Sequence, residues 1–291
     1  MLVLLLVAAG APIFAADLEI TYVEGRLELS ASGGWKALDI GDVLSEAATV
    51  RFDGSGVAEI EGTGVKVTLR QQGTYKLSDI IGKSKQVAST GLGSLMKDRV
   101  AGVFQGTQRA TSAVMGVRAA EVETDSQKRV SWLGSASDLL AQAKKELEAG
   151  EYEKALSTLG EAYENADELE EPEILYYTSY ANTMTGNSGA ALDAIIRARV
   201  EPAHPLHGES LLLRGQLLVE ALAFGDARSS FEDYRARYPE GSGVQLADLM
   251  VGYCAKELGD LEEARRSLDR ARSADPASQI GKKAQELLGA L

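Results

Sequence analysis

The sequence predicts an α+β chain in which an N-terminal antiparallel β module precedes an all-α solenoid of about four helical hairpins plus a capping helix. A short pattern recurs four times in the C-terminal half, at spacings of 36, 36 and 37 residues. Apolar residues recur there at three- and four-residue steps, whereas before residue 130 they alternate. We therefore divide the chain into a leader (1–16), a β module (17–130), a linker (131–136) and a solenoid (137–291).

Each copy of the pattern joins a tight turn to an alanine and to a large apolar residue four positions later. The alanines are Ala155, Ala191, Ala227 and Ala264, and their partners are Leu159, Ile195, Phe231 and Leu268. Self-similarity at a 20–50-residue period indicates stacked helical units that cannot bury their apolar faces alone. Such arrays bind other molecules more often than they transform them.

The repeat has the size of a helix–turn–helix unit. Aligned on the turn, the units span roughly 136–169, 172–205, 208–241 and 245–278. This half of the chain resembles the tetratricopeptide repeat family, with Gly215 and Gly252 at that family's small position in the first helix. The third unit departs from the pattern, with Leu222 at the turn glycine and Tyr234 at a small position. A generic α-solenoid is the alternative, and 279–291 is expected to form the capping helix.

The tetratricopeptide resemblance implies a concave surface lined by the first helix of each unit. Its fifth, ninth and thirteenth positions correspond here to Leu140, Tyr176, Leu212, Leu249, Lys144, Tyr180, Gln216, Tyr253, Glu148, Met184, Glu220 and Glu257. Aromatic and apolar anchors bordered by carboxylates would suit a protein segment whose apolar residues are flanked by Lys or Arg. The alternative is that the tyrosines fill space between helices.

Short alternating runs indicate β-strands before residue 80. They lie at 18–23, 25–29, 49–52, 57–60, 65–69 and 74–77, separated by glycine-rich turns. We expect the first two runs to form a strand pair. Short strands at this spacing predict an antiparallel sandwich or barrel-like module. The segment 86–105 is expected to be a helical or loop connection.

The β module also carries an ordered set of short motifs. They are 23–27, Trp35, 41–44, 58–60, 65–69 and 111–122. In this order they resemble the periplasmic FecR domain, the sensor module of ferric-citrate-type regulators. The resemblance implies recognition or sensing in the cell envelope.

Residues 1–16 are apolar and end in small residues. We expect a secretory signal peptide cleaved near Ala15 or Ala16, and a short uncleaved anchor is the alternative. No later apolar run reaches the roughly 18 residues that span a bilayer. We therefore expect the mature protein to be periplasmic or otherwise exported. Association with an envelope or membrane protein is left open.

Acidic residues are concentrated in the repeat half. The chain has a formal net charge of −13, with 15 acidic and 14 basic residues in 17–130 but 28 and 16 in 131–291. Nucleic acid and anionic lipid surfaces should repel such a chain. We expect protein partners and no nucleic acid.

Motifs for catalysis or metal binding are weak. Cys254 is the one cysteine, and we expect it to be buried and inert. His204 and His207 flank Pro205, and we expect both in a loop, where two histidines alone make a poor metal site. The Gly82-Lys83-Ser84 run lacks the glycine that a phosphate-binding loop requires five positions earlier, and the acidic run 167–173 matches no calcium loop. We predict no cofactor, no metal and no enzymatic activity.

Three functions remain at this point. The first is an exported, non-catalytic adaptor that docks a protein through the repeat array. The second is a regulatory sensor that passes an envelope signal to a membrane partner. The third is a cell-wall enzyme or an activator of one.

Overall fold

A computed structural model describes residues 17–62, 65–95, 99 and 135–291. It shows an antiparallel β region followed by a helical repeat array, which confirms the predicted order. The strands are β1 (Asp17–Val23), β2 (Leu27–Ala31), β3 (Gly34–Ala37), β4 (Val43–Ser45), β5 (Thr49–Phe52), β6 (Ala58–Gly62), β7 (Val65–Leu69) and β8 (Gly73–Lys76). The helices are α1 (Leu77–Ser89), α2 (Ala136–Glu148), α3 (Tyr152–Glu164), α4 (Glu171–Thr185), α5 (Ser188–Ala198), α6 (His207–Glu220), α7 (Phe224–Arg237), α8 (Val244–Glu257), α9 (Leu261–Ala274) and α10 (Gln279–Gly289).

The β region is a sandwich of two four-stranded antiparallel sheets. Their strand orders are β4-β1-β6-β7 and β3-β2-β5-β8. Alternate residues of both sheets point inward, so that Ile20 and Ile60 of one sheet share an apolar cluster with Val50 and Phe52 of the other. Helix α1 continues directly from β8 and packs on β7 and β8. Leu77, which is fully buried, fixes the start of that helix to the sandwich core.

The predicted pairing of the first two strands is wrong. β1 pairs with β4 and β6, whereas β2 pairs with β3 and β5, so the two strands belong to different sheets. The chain changes sheet at Gly25, whose φ of +100° is a conformation that residues with a Cβ rarely adopt. Each strand carries a buried leucine, Leu18 in β1 and Leu27 in β2, and both belong to the core between the two sheets.

Strands β3 and β4 were absent from the sequence expectation. Every residue of β3 is exposed, and β4 has only three residues with one buried side chain. Strands at the edge of a sheet need no apolar alternation, because one side of their backbone and their outward side chains face solvent. Periodicity therefore cannot detect them.

The helices form hairpins whose ends carry recognisable signals. Ser135 caps α2 in a capping box with Asp138, and Asp260 and Ser278 cap α9 and α10 with their side chains. The turns of three hairpins contain Gly150, Gly186 and Gly259, each with φ near +80°. A left-handed glycine ends a helix and satisfies its last carbonyl groups.

Within each hairpin the two helices touch at small residues. Ala155, Ala191, Ala227 and Ala264 are all fully buried. A Cβ at Gly215 would lie 2.6 Å from the Phe231 ring, and one at Gly252 would lie 2.6 Å from Leu268 Cγ. In these two hairpins the large apolar residue of the recurring pattern therefore packs against a glycine of the preceding helix, and this contact closes the hairpin. Helix α10 packs on α9 at the end of the array.

Three expectations fall at or beyond the edge of the described residues. The leader 1–16, the 111–122 motif and most of the 131–136 linker lie outside them. Helix α2 begins at Ala136, one residue before the expected start of the solenoid.

Candidate protein-binding groove

The predicted groove positions lie on the first helices of the four hairpins, α2, α4, α6 and α8, and they differ in exposure. Seven are buried: Leu140, Tyr176, Tyr180, Leu212, Gln216, Leu249 and Tyr253. Lys144, Met184, Glu220 and Glu257 are half-buried, and Glu148 is exposed. The apolar and aromatic positions therefore form the floor of this face, and the charged positions form its border. We use "the groove" for these twelve positions.

The three groove tyrosines pack against other aromatic rings. The rings of Tyr176 and Tyr177 meet edge to face at 5.2 Å, and Tyr253 meets Phe224 in the same way at 6.0 Å. Burial raises the pKa of Tyr180 to about 12 and that of Tyr176 well above its usual value. These phenols stay neutral and act as apolar surface with a polar tip. Within the part of the chain that the structure describes, nothing is hydrogen-bonded to the buried Tyr253 hydroxyl.

The border of the groove is held by polar contacts. Lys144 Nζ lies 2.5 Å from Glu173 Oε1 and 5.0 Å from the centre of the Tyr177 ring. Glu220 accepts hydrogen bonds from Ser188 Oγ at 2.9 Å and from Gln216 Nε2 at 3.2 Å. Side chains fixed in this way present defined charges beside an apolar floor, which is the usual layout of a protein-binding surface.

A segment from the β module reaches the same face of the array. Leu92 is 1% exposed and belongs to the apolar cluster that contains Tyr176, Leu212 and Leu249. Beyond it, the Arg99 guanidinium donates to Glu209 Oε1 at 2.7 Å, near the start of α6. The charges of Glu209 and Arg99 both act on the Tyr176 phenol, the first raising its pKa and the second lowering it. The expected connection at 86–105 is therefore partly helical, and its described residues pack on the repeats.

At the opposite edge, the sandwich docks on the turns of the helical hairpins. The Glu59 carboxylate of β6 accepts a hydrogen bond from the backbone N–H of Gly189 at 2.8 Å, and Lys66 of β7 donates to the carbonyl of Gly186. Glu59 and Lys66 also form an ion pair. Asn187, the residue before α5, makes no side-chain cap hydrogen bond. The anion thus lies at the N-terminus of α5 and the cation at the C-terminus of α4, as the two helix dipoles favour.

The next hairpin turn makes a second docking contact. Arg70 lies 2.5 Å from Asp226 in the first turn of α7. Leu222 occupies the turn position at which the other hairpins have glycine, and its φ is +58°. The Leu222 side chain packs against the sandwich core. A backbone conformation that is unfavourable for leucine is therefore retained where the side chain joins the two halves.

Two carboxyl groups meet where β1 faces α5. The hydrogen bond with Asp193, followed by burial, raises the pKa of Glu24 to about 7, and Arg197 acts in the opposite direction. Burial and then the charge of Asp193 raise the pKa of the neighbouring Tyr22 to about 12. A carboxyl group whose pKa is shifted toward neutrality therefore lies at the docking surface.

The residues considered for catalysis or metal binding have structural roles. Cys254 is fully buried in α8, and burial raises the pKa of its thiol. The expectation that His207 lies in a loop is wrong: it begins α6, is 7% exposed and shares a 2.8 Å hydrogen bond with the Tyr238 hydroxyl. The Gly82-Lys83-Ser84 run lies inside α1 and forms no phosphate-binding loop.

The acidic run at 167–173 also has a local explanation. Asp167 Oδ1 accepts from the backbone N–H groups of Leu169 and Glu170, so this carboxylate organises the entry to α4. Among the described residues, no three His, Cys, Asp or Glu side chains are placed to hold a metal ion together. None of the described helices has both the length and the apolar character that crossing a bilayer requires.

Sequence reasoning missed the residues that join the two halves. Glu59 and Lys66 lie in strands where alternation explains them as outward-facing charges. Arg70 follows β7, and Arg99 lies in a stretch without a clear sequence pattern. The one sequence signal was Leu222, which breaks the glycine pattern of the turns. A residue that violates a repeat at a strained backbone position indicates a contact outside the repeat.

No family model and no curated protein matches the chain. Solved structures similar to part of it include the MamA RS-1 ArsTM double mutant, with a TM-score of 0.45 and 22% identity over 54% of this chain and 83% of that one. MamA 41-end from Desulfovibrio magneticus RS-1 has a TM-score of 0.43 and 21% identity over 53% of this chain and 92% of that one. The apo form of RapI has a TM-score of 0.43 and 17% identity over 53% of this chain and 46% of that one. At these scores the similarities carry no argument about what the chain binds.

Proposed function

We propose that the chain is an exported, non-catalytic adaptor that binds a protein segment through the groove. The observation that carries the proposal is the aromatic and leucine floor on successive first helices, bordered by Glu148, Glu220 and Glu257. Such a face suits a segment with apolar residues flanked by Lys or Arg, because the apolar residues are buried and the cations meet carboxylates at the border.

The β module, in this proposal, is the envelope-facing part of the adaptor. Its antiparallel sandwich and FecR-like motifs support a recognition or sensing module in the periplasm, and the leader-like residues 1–16 support export. The resemblance supplies no ligand for this module.

The regulatory sensor is the second candidate, and one observation favours it. The sandwich is fixed to two successive hairpin turns through Gly189 and Asp226. A change in the sandwich can therefore reach the helices that carry the groove, since the contacts act on helix ends. A sensor would change its affinity for a membrane partner when the β module is occupied, whereas an adaptor would not.

Site-specific photo-crosslinking in intact cells tests the adaptor function. A photoreactive amino acid replaces Met184 or Glu148 in the groove, and Glu164, an exposed residue at the end of α3, serves as the matched control. We expect one protein adduct from both groove positions and none from the control. Equal adducts at all three positions, or none in the groove, would contradict the proposal.

A further inference from the structure

Described residues of the segment that follows the sandwich lie near both ends of α6. Ile80 and Lys83 of α1 line a cavity of about 400 Å³ with Leu222 and Glu257, at the C-terminal ends of α6 and α8. Arg99 pairs with Glu209 in the first turn of α6. The described residues between these two points therefore lie along the first-helix face.

The residues between these two points bury apolar side chains against the array. Val87 and Leu95 pack against the cluster that contains Tyr176 and Leu212, and Leu92 is part of it. Residues 92–95 and 99 are helical. Positions 92 and 95 are three residues apart in the described stretch, a spacing that places them on one face of a helix.

This segment has the chemistry that the groove was predicted to bind. Two leucines lie against the apolar cluster of the array, and an arginine four residues further along the chain pairs with the Glu209 carboxylate. Leu92 lies outside the repeats, yet it is as buried as the residues that hold the hairpins together. Arg99 is 26% exposed and Glu209 27%, so their pair is partly shielded from solvent.

We propose that the segment carrying Leu92, Leu95 and Arg99 is an intramolecular ligand of the groove. The external partner is then a segment with the pattern Leu-x-x-Leu-x-x-x-Arg, which must displace the tethered segment in order to bind. This inference rests on the proposed function and names the partner's chemistry and its regulation. A tethered occupant has a high effective concentration, so the closed form lowers the apparent affinity for any external segment.

Binding of a labelled peptide tests this proposal. The probe is a synthetic peptide with the sequence of residues 77–99, titrated with the full chain and followed by fluorescence anisotropy. The double variant Leu92→Asp/Leu95→Asp should release the tethered segment and bind the peptide at least tenfold more tightly than the unaltered chain. Leu169→Asp is the matched control, because Leu169 is 88% exposed, and it should bind as the unaltered chain does.

The pairing of charges gives the test its specificity. When Glu209→Arg is added to the Leu92→Asp/Leu95→Asp double variant, it should weaken binding of the peptide at least fivefold. A peptide that carries Arg99→Glu should then recover the lost affinity. If the unaltered and released chains bind the peptide equally, the groove is not self-occupied. If the released chain is folded by circular dichroism but does not bind, or dimerises instead, the proposed partner chemistry is wrong.

A second measurement applies even if the double variant does not fold. Arg99→Glu changes a partly exposed side chain, and it should increase hydrogen exchange at the amides of residues 80–95 at least tenfold. Adding Glu209→Arg should restore the protection, and unchanged exchange in the single variant would overturn the proposal. Peptide binding without any groove adduct in cells would instead reject the adaptor function and leave the self-occupied groove intact.

Discussion

The backbone N–H of Gly189 donates to the Glu59 carboxylate at 2.8 Å, so a strand of the sandwich caps a helix of the repeat array. The Asn187 side chain, at the N-cap of α5, accepts no hydrogen bond from the first turn of that helix. The Glu59 carboxylate therefore supplies an acceptor for one of the first-turn amides. The same carboxylate is paired with Lys66, which donates to the end of the preceding helix. One ion pair thus joins two helix ends to one β-hairpin.

Replacing Gly189 with alanine should loosen this junction. A Cβ there would lie 2.6 Å from Glu59 Oε2 and 3.0 Å from Glu59 Cβ. We expect the free energy of unfolding to fall by about 1–3 kcal/mol, the usual cost of overpacking. Urea unfolding measures it. The control is Gly160→Ala in α3, where no atom lies within 4 Å of the new Cβ and alanine should stabilise by up to about 1 kcal/mol.

Removing Lys66 alone should lower the free energy of unfolding more than removing both members of its ion pair. Lys66→Met leaves the Glu59 carboxylate, whose side chain is 3% exposed, without its cation. An uncompensated buried charge costs about 3 kcal/mol. In a double-mutant cycle measured by chemical denaturation, Lys66→Met/Glu59→Gln should lose less free energy of unfolding than Lys66→Met alone. Additive losses would show that the two side chains do not interact.

At Leu222 the backbone strain and the side-chain contact have opposite effects. Leu222→Ala keeps the unfavourable φ of +58° but loses the contact with the sandwich, and it should destabilise by about 2 kcal/mol. Leu222→Gly loses the same contact but removes the strain, which is worth about 1 kcal/mol. The melting temperature should be highest for the unaltered chain, lower for Leu222→Gly and lowest for Leu222→Ala. A melting temperature of Leu222→Ala equal to or above that of Leu222→Gly would contradict this account.

Stability should fall as the pH rises toward 7. The pKa of Glu24 is about 7 in the folded chain, above the ordinary value of 4.5, so between those values the folded state holds a proton that the unfolded state has lost. The stabilisation is complete below pH 4.5 and disappears as the pH passes through 7. Denaturant titrations from pH 5 to 8 measure the slope, which Glu24→Gln should flatten.

Asp193→Asn should flatten the same slope, because the shared hydrogen bond with Asp193 is the main cause of the shift. Glu161→Gln on α3 is the control and should retain the pH dependence of the unaltered chain. Parallel slopes in all four proteins would locate the titrating group elsewhere.

The sequence by itself determined the elements that arise from local periodicity and turn chemistry. The recurring alanines, Gly215 and Gly252 specified where paired helices touch, and alternation identified the strands that have an inward face. Such features depend on neighbours a few residues away, so they can be read along the chain. The twelve groove positions followed from the repeat register, although their role in binding a partner remains a proposal.

Only the tertiary structure decided how the two halves meet. The contacts of Glu59 with Gly189 and of Arg99 with Glu209 join residues 130 and 110 positions apart. Either charge would also be stable as an ordinary solvated side chain, so no local pattern distinguishes a docking residue from a surface one. The sandwich faces that dock and the apolar cluster that includes Leu92 exist only after both cores have formed, because surface complementarity is a property of the folded units.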